Sequence, residues 1–557
     1  AGTISISAAE TALKSSGILL QAASNISLNA YAQIGSNSTT NGTILVDAAN
    51  ISAHSSNKQD VSFTAFKNAQ IGEIKGDKTE PIVLKSLSGE QTIAQALDAK
   101  GSDIEFVAND INITNTITSS GGDIVFAPTL TNATFTISKN AVTGSSFNID
   151  QSELDYVQKV ASVVLGNDGG NYLVQIGNGD TTEETITFNT AIVIYNNGAL
   201  GHTVVSDKIV SSSSFTGYGS GHTTVYGANQ TFGADYYLSD SVQVSGNQTL
   251  SVTSGNITIA DTLTVQTAIN GDRVSGDDIL TLVASNGDVI INAVIGGNPT
   301  DGTTIYNETD VLEGLNVSGE NITFNESVTL NGDFIINATG VVTFEKAVSI
   351  TGGDLSILGA SQVIFKGGVS VTGGDITLEA NEVDLTSTVA SFAGNGILAI
   401  KTVSNSLGLE IGGSSTTANL DLTASELGKL SDGFSKIVFG ETTGNNIKIY
   451  ESNFADNVEV YGNNITINGD LTASGNDIIL SSSGTTSIFA DVTSANLTVV
   501  SLSDIVQNGG TVTATTLNLS AVSDITFDGV DVTNLSSTSS GNLDIHFVGD
   551  TTLNTLS

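Results

Sequence analysis

The stretch that decides the fold runs from Gly332 to Leu378 and reads GDFIINATGVVTFEKAVSITGGDLSILGASQVIFKGGVSVTGGDITL. Three times in it, a turn containing Gly and Asp precedes alternating apolar and polar residues, and the turn aspartates Asp333, Asp354 and Asp375 are 21 residues apart. Short segments rich in β-branched residues between Gly, Asn and Asp turns are typical of strands. A fixed period of roughly 20 residues indicates a coil that stacks on copies of itself.

The same sequence motif, a turn followed by alternating apolar and polar residues, recurs along the rest of the chain. Asp103 and Asp123 are 20 residues apart, and so are Asp504 and Asp524. One such coil cannot bury its apolar side alone, whereas stacked coils pair equivalent strands in parallel and enclose a common core. The sequence therefore predicts an all-β protein, a right-handed parallel β-helix (β-solenoid) that is continuous over residues 1–557. At this period the length corresponds to about 25 to 28 coils.

Three segments do not follow the regular repeat of turns and strands. In the first, a predicted irregular insertion, Ser88 and the residues after it predict a short capped helix that ends at Gly101. The second is rich in Tyr and Gly and is interpreted as a decorated region, and the third is interpreted as a protruding loop. These segments are, in order, residues 54–100, 150–240 and 295–314.

A longer repeat overlies the coils, because residues 423–446 resemble a second copy of residues 150–171. Both copies contain Ser-Glu-Leu, beginning at Ser152 and Ser425, followed by an apolar strand that ends at a glycine. A serine at this position favours the start of a helix. We therefore expect each serine to cap one helical turn that leads into a strand.

Composition excludes several classes of function. The 557 residues include 57 Asp and Glu but 17 Lys and Arg, which gives a net charge of −40. Binding to nucleic acid or to an anionic membrane surface needs clustered basic residues, so neither is expected. Cysteine is absent, which excludes disulfides and thiolate chemistry. No apolar run is long enough to span a membrane. The first ten residues lack the features of a signal peptide, so we interpret the chain as a mature product or an excised segment.

The second copy of the long repeat carries a motif that resembles a known family. It reads LTASEL at Leu422–Leu427 and GFSKIVFG at Gly433–Gly440. Set among Gly-Asp-Ile coils, this pattern resembles the large filamentous-haemagglutinin-like exoproteins, which are β-helical surface adhesins exported by two-partner secretion in Gram-negative bacteria. The secretion domain of that family carries an Asn-Pro-Asn motif, whereas Asn298-Pro299 lies in a mid-chain loop. The resemblance therefore implies a stalk region without its secretion domain.

Catalytic patterns are sparse. Polysaccharide-active β-helices need paired carboxylates, with a base in the lyases, and the segment that offers these groups contains Asp272, Arg273, Asp277 and Asp278. Its simpler interpretation is a solvated corner. His202 and His222 are 20 residues apart and are predicted to stack on adjacent coils, with metal binding as the less favoured alternative. We expect the protein not to be an enzyme.

Calcium is the one cofactor that the sequence suggests. Acidic turns supply oxygen ligands on flexible loops, and the candidates here are Asp168, Asp180, Asp277 and Asp278. The alternative is that the acidic surface only keeps a long protein soluble and separates neighbouring molecules.

Together these features predict a secreted, extracellular protein of the bacterial cell surface, acting as the rigid stalk of a large adhesin. Its partners would be glycans or proteins of a host or neighbouring cell. The alternative is a protomer of a surface layer or extracellular filament that joins copies of itself end to end, because strand-like segments begin and end the chain. A polysaccharide-active enzyme is a distant third hypothesis.

Overall fold

A computed structural model describes residues 101–557 apart from several gaps, namely 102, 131–132, 143–146, 179–183, 199–200, 220–221, 227–228, 260–267, 272–277, 297–310, 386–390, 414–419, 443 and 557. Before residue 101 it describes Ala96, the backbone of the strands and the side chains of Ile93 and Leu97. The chain divides into two units, the first comprising Ala1–Gly287 with Asn298–Asp310 and the second Asp288–Gly297 with Val311–Ser557.

The first unit contains helix α1, Gln151–Leu154. Its described strands, β1 to β32 in chain order, are Ile4–Ile6, Ala12–Ser15, Gly17–Gln21, Ile26–Leu28, Gln33–Ser36, Thr43–Asp47, Val61–Ser62, Ile82–Lys85, Glu90–Ile93, Leu97–Asp98, Ile104–Ala108, Asp110–Ile113, Ile117–Thr118, Ile124–Pro128, Thr134–Ser138, Phe147–Asp150, Val157–Gln158, Ser162–Gly166, Leu173–Ile176, Thr185–Phe188, Ala191–Asn196, His202–Val205, Lys208–Ser211, Phe215–Gly219, His222–Tyr226, Gln230–Phe232, Tyr236–Leu238, Ser241–Ser245, Gln248–Val252, Ile257–Ile259, Ala268–Gly271 and Ile279–Ala284.

The second unit contains helix α2, Ala424–Leu427. Its described strands, β33 to β63, are Val289–Ile291, Val294–Ile295, Gly314–Gly319, Ile322–Phe324, Val328–Leu330, Asp333–Ala338, Val341–Phe344, Val348–Thr351, Leu355–Ala360, Gln362–Phe365, Val369–Thr372, Ile376–Ala380, Val383–Asp384, Phe392–Gly394, Ile397–Lys401, Leu409–Gly412, Leu420–Thr423, Lys436–Gly440, Ile447–Ile449, Ser452–Asn453, Val458–Gly462, Ile465–Ile467, Leu471–Ala473, Ile478–Ser482, Thr486–Ile488, Val492–Ser501, Ile505–Gln507, Val512–Ala521, Ile525–Ser539, Leu543–Phe547 and Thr552–Leu556.

The described residues are all-β with 2% helix, and their parallel strands stack as a β-solenoid of about 18 turns, which confirms the predicted fold class. The predicted number of coils was too high because some coils are much longer than the spacing of the aspartates. Ile124 pairs with Val163 and Leu398 with Ile437, so each of these coils is nearly twice that length. The period predicted from the aspartates holds where the corners are short, as in the pairing of Leu355 with Ile376.

The core consists of rows of apolar side chains that point inward at the same position of successive coils. Because side chains alternate between the two faces of a strand, every second residue of each strand in the repeat faces the core. Phe324, Phe344 and Phe365 pair in register, and their rings stack with centroids 5.0 and 4.9 Å apart. All three are 1% exposed. Burial of these rows is the main stabilising contribution of each coil.

The turns stack as well. Gly352 and Gly373 occupy the same position of neighbouring coils and have φ of 73° and 85°, a backbone conformation that favours glycine. The recurring aspartates occupy equivalent turn positions, and Oδ1 of Asp103 accepts a hydrogen bond from the backbone N–H of Asp123 at 2.8 Å. The spacing of the aspartates is therefore the length of a short-cornered coil.

The predicted helix between residues 88 and 101 is corrected by the structure. Glu90–Ile93 and Leu97–Asp98 are strands, and they pair in parallel with β12 and β13 of the next coil. The helix-like composition is overridden because strand partners lie on the neighbouring coils. Most of residues 54–81 and the loop 297–310 lie outside the described residues.

Candidate functional site: two acidic clusters

The two copies of the Ser-Glu-Leu motif have the same local structure. The N-caps are Asp150 for α1 and Thr423 for α2. In each, the N-cap side chain accepts a hydrogen bond from the backbone N–H of the third helical residue, which is Glu153 or Glu426. The glutamate carboxylate in turn accepts one from the N-cap backbone N–H. Each four-residue helix therefore begins with a complete capping box.

The serines that the sequence predicts as caps are not the caps. Ser152 and Ser425 are the second helical residues, immediately before the glutamates. An N-cap side chain has to reach the N–H of the second or third helical residue, so the cap lies before the helix, two residues earlier than the serine. Ser152 Oγ instead donates a hydrogen bond of 2.6 Å to Asp150 Oδ1.

In the first copy, the glutamate also connects its helix to an earlier strand. Glu153 Oε1 accepts a 2.9 Å hydrogen bond from the backbone N–H of Ile113, 40 residues before it. The pKa of Glu153 is raised to about 7, mainly by burial; the charges of Asp150 and Asp110 also raise it, while its two backbone donors lower it. Asp110 Oδ1 accepts a 3.0 Å hydrogen bond from the backbone N–H of Asn148. We call Asp110, Asn148, Asp150 and Glu153 the first cluster.

In the second copy, Glu426 makes the equivalent contact. Its Oε1 accepts a 3.1 Å hydrogen bond from the backbone N–H of Leu385, 41 residues before it. Glu382 precedes Leu385 by three residues, as Asp110 precedes Ile113, and Asp421 takes the place of Asn148. We call Glu382, Asp421, Thr423 and Glu426 the second cluster.

The second cluster differs in charge from the first. Replacing an asparagine with Asp421 places a further carboxylate against Glu382, and Asp421 is 3% exposed. The pKa of Glu382 rises to about 8, mainly through burial and then through the charge of Asp421, while a backbone hydrogen bond from Asp421 lowers it. The side-chain hydrogen bond with Asp421 and the charge of Glu426 also contribute to this rise. Burial and the neighbouring carboxylate both disfavour the charged form of Glu382.

Glu410 and Lys448 continue the row beside Asp421. Glu410 pairs in register with both Asp421 and Lys448, and Lys448 Nζ lies 3.2 Å from Glu410 Oε1. The hydrogen bond and the charge of Glu410 raise the pKa of Lys448. A polar cleft of about 250 Å³ lies over these two side chains and is lined further by residues 405–409 and 446. The second cluster can therefore take up or release a proton near neutral pH. The cleft beside it is lined by one acidic and one basic side chain, Glu410 and Lys448.

The structure separates the predicted calcium ligands that it describes. Asp168 is exposed, and its Oδ1 accepts a 2.5 Å hydrogen bond from Asn197 Nδ2. Asp278 is 5% exposed, and its Oδ1 accepts a 2.8 Å hydrogen bond from the backbone N–H of Gly246. The remaining candidates, Asp180 and Asp277, lie outside the described residues, as do Asp272 and Arg273. Among the described residues, no group of three or more His, Asp or Glu side chains is arranged to hold a metal ion.

The two histidines occupy equivalent positions of neighbouring coils, because His202 pairs in register with His222. This is the stacking that their spacing in the sequence predicts. The side chain of His222 lies outside the described residues, so the pairing concerns the backbone.

Comparisons with known proteins add no identification. No family model, no curated protein and no solved structure matches the chain. In the described part of the chain, neither α1 nor α2 is long enough to cross a membrane.

Proposed function

We propose that the chain is the rigid β-helical stalk of a secreted adhesin on a bacterial cell surface. The observation that supports this proposal is one row of buried side chains in the second unit, which stays in register over eleven stacked strands. The row is Leu315, Phe334, Leu355, Ile376, Leu398, Ile437, Val458, Ile478, Leu497, Leu517 and Leu535. Each of these side chains is at most 1% exposed.

A stack of this kind suits a spacer. Every strand is hydrogen-bonded to the strands on either side along the stacking direction, so bending would have to break several pairings together. The net charge of −40 opposes association of neighbouring stalks. In an adhesin, the partners on a host or neighbouring cell would then be bound by a part of the protein that the stalk holds away from the surface.

The test is to remove one coil. Because Ile478 pairs with Leu497, deletion of residues 478–496 removes one repeat and joins equivalent positions. We expect bacteria carrying this deletion to adhere as before, with the antigen labelled by immunogold on intact cells. Deletion of residues 478–486 shifts the register and serves as the matched control that should not fold. Labelling only after permeabilisation, or direct binding of the purified chain to host cells, would contradict the stalk.

A second function, self-assembly into a surface layer or filament, is proposed from apolar side chains of strands β62 and β63. Leu553 pairs with Leu535 and continues the buried row, yet it is 52% exposed. Phe547 pairs with Val530 and is 39% exposed. Exposed apolar side chains of this kind offer a surface on which a second copy can pack.

Electron microscopy separates the two functions. Isolated particles at high concentration favour the stalk, and end-to-end filaments favour assembly. Leu553→Asp should abolish filaments because it places a charge in the row, whereas Leu502→Asp, at a side chain that is 62% exposed in another coil, should leave them unchanged.

A further inference from the structure

Glu184 and Asp207 form a pair of carboxylates on neighbouring coils and belong to neither acidic cluster. Strand β20 pairs with β23 so that Thr185 lies opposite Lys208, and the two acidic residues immediately precede these positions. The backbone N–H of Glu184 donates a 3.2 Å hydrogen bond to Asp207 Oδ1. The backbone N–H of Lys208 donates one of 3.0 Å to the carbonyl of Glu184. These two hydrogen bonds hold the backbones of the two coils together at this corner.

Each carboxylate has one buried oxygen that accepts no hydrogen bond from the described residues. These oxygens are Oδ2 of Asp207 and Oε2 of Glu184. Asp207 is 1% exposed. Glu184 uses its other oxygen, Oε1, to accept a 2.9 Å hydrogen bond from Asn140 Nδ2. Within the described chain, no lysine, arginine or histidine forms an ion pair with either group.

This arrangement is unfavourable without a further positive charge. Like charges at adjacent positions of paired strands repel. A buried carboxylate oxygen that accepts no hydrogen bond loses its hydration without a compensating interaction, and this destabilises the folded chain. The corner nevertheless closes tightly over Asp207, because a Cβ on Gly177 would lie 2.9 Å from Asp207 Cγ. Gly177 has a φ of 113°, so glycine is required here on both grounds.

We propose that Asp207 and Glu184 bind one divalent cation, with Asp207 Oδ2 and Glu184 Oε2 among its ligands. Calcium is the cation that this chemistry favours, because it takes carboxylate oxygens in irregular geometry and completes its shell with water or carbonyls. Magnesium demands a near-octahedral shell and gives up water reluctantly. The bound ion would join two successive coils at the corner between β19 and β20. It is a different pair from the predicted calcium ligands, of which Asp180 lies closest in sequence.

Calcium binding to the full chain tests the proposal. The protein is stripped with chelator, titrated with CaCl₂ by calorimetry, and unfolded thermally with calcium or with chelator. We expect Asp207→Asn and Glu184→Gln each to bind one calcium ion fewer than the unsubstituted chain and to lose the corresponding rise in unfolding midpoint. Asp354→Asn is the matched control, since Asp354 is exposed and its Oδ1 accepts a backbone N–H. It should keep both.

Two results would overturn the proposal. Equal stoichiometry in all variants would place any bound calcium elsewhere on this acidic chain. A midpoint of the unsubstituted chain that does not respond to calcium would mean that the pair holds no calcium ion. If Asp207→Asn does not fold, Glu184→Gln decides, because Glu184 is less buried. Titration with MgCl₂ should give weaker binding to the same pair.

Discussion

Oδ1 of Asp354 accepts a hydrogen bond of 2.8 Å from the backbone N–H of Asp375, which occupies the same position of the next coil. The carbonyl of Asp375 in turn accepts one of 2.9 Å from the N–H of Leu355. The backbone ladder and the aspartate side chain thus connect the two coils in opposite directions. Asp333 and Asp354 are related in the same way, at 3.0 Å.

This relationship predicts that Asp354→Ala weakens the local stack, because the N–H of Asp375 loses its acceptor. The expected loss is about 0.5–1.5 kcal/mol, seen as faster amide hydrogen exchange at Asp375. Asp354→Asn is the matched variant and should stay within about 0.5 kcal/mol, because Oδ1 of Asn321 already performs this role for the N–H of Val341, at 2.9 Å. Equal exchange at Asp375 in Asp354→Ala and in the unsubstituted chain would show that this hydrogen bond does not stabilise the stack.

The capping glutamates give a second prediction. Glu426→Ala leaves the N–H groups of Leu385 and Thr423 without an acceptor, and each buried unsatisfied donor costs about 1–3 kcal/mol. Glu426→Gln keeps one acceptor oxygen and should cost about half as much. The variants are compared by urea unfolding and by proteolysis near α2. Ser425→Ala is the control, because the serine is not the cap, and a large effect of that change would contradict this assignment.

The second cluster predicts a dependence of stability on pH. The folded-state pKa of Glu382, about 8, lies above its ordinary value of 4.5, so the folded chain binds more protons between these values. The free energy of unfolding should therefore be highest below pH 4.5, as far as this group is concerned, and fall as pH rises to 8. Glu153 adds a similar fall between pH 4.5 and about 7.

Substitutions separate the two contributions. Glu382→Gln should remove its part of the slope, and Asp421→Asn, which gives the second cluster the amide of the first, should raise stability at pH 9 by roughly 1–3 kcal/mol. Both leave the fall due to Glu153. Urea unfolding from pH 4 to 9 measures these slopes. Identical slopes in all three proteins would show that Glu382 does not hold a proton in the folded chain.

The sequence was informative where structure is local and periodic. The regular spacing of Asp333, Asp354 and Asp375 predicted the coil length, because the repeat in sequence is the repeat in space. The helix expected before Gly101 was wrong because short segments take the conformation of the strands beside them. Each capping box is present in the sequence as an Asp or Thr three residues before a glutamate. The cap was nevertheless predicted at the serine that lies between these two residues.

The candidate sites could not be predicted, since their members are brought together by stacking. Glu382 and Asp421 are separated by a long coil whose length no spacing rule gives. Glu184 and Asp207 are 23 residues apart, which is more than the regular period of about 20 residues. The extra residues lie in a longer connection between two strands of this coil. Burial is what makes these carboxylates unusual, and it depends on the register of neighbouring coils. Turn aspartates such as Asp354 look the same in sequence and are exposed.

The aromatic stack gives the last prediction. Phe344 lies between Phe324 and Phe365 with interplanar angles of 6° and 2°, and truncation leaves a cavity that neither neighbour can fill without leaving its own coil. Phe344→Ala should cost about 3–5 kcal/mol, and Phe344→Leu less, because leucine refills part of the volume. Phe489→Ala, at a side chain that is 48% exposed, should change stability by less than about 0.5 kcal/mol. Since each coil contacts its neighbours only, hydrogen exchange should rise in the coils of the stack and remain unchanged beyond Leu398. A rise of equal size throughout the second unit would mean instead that the coils unfold as one cooperative body.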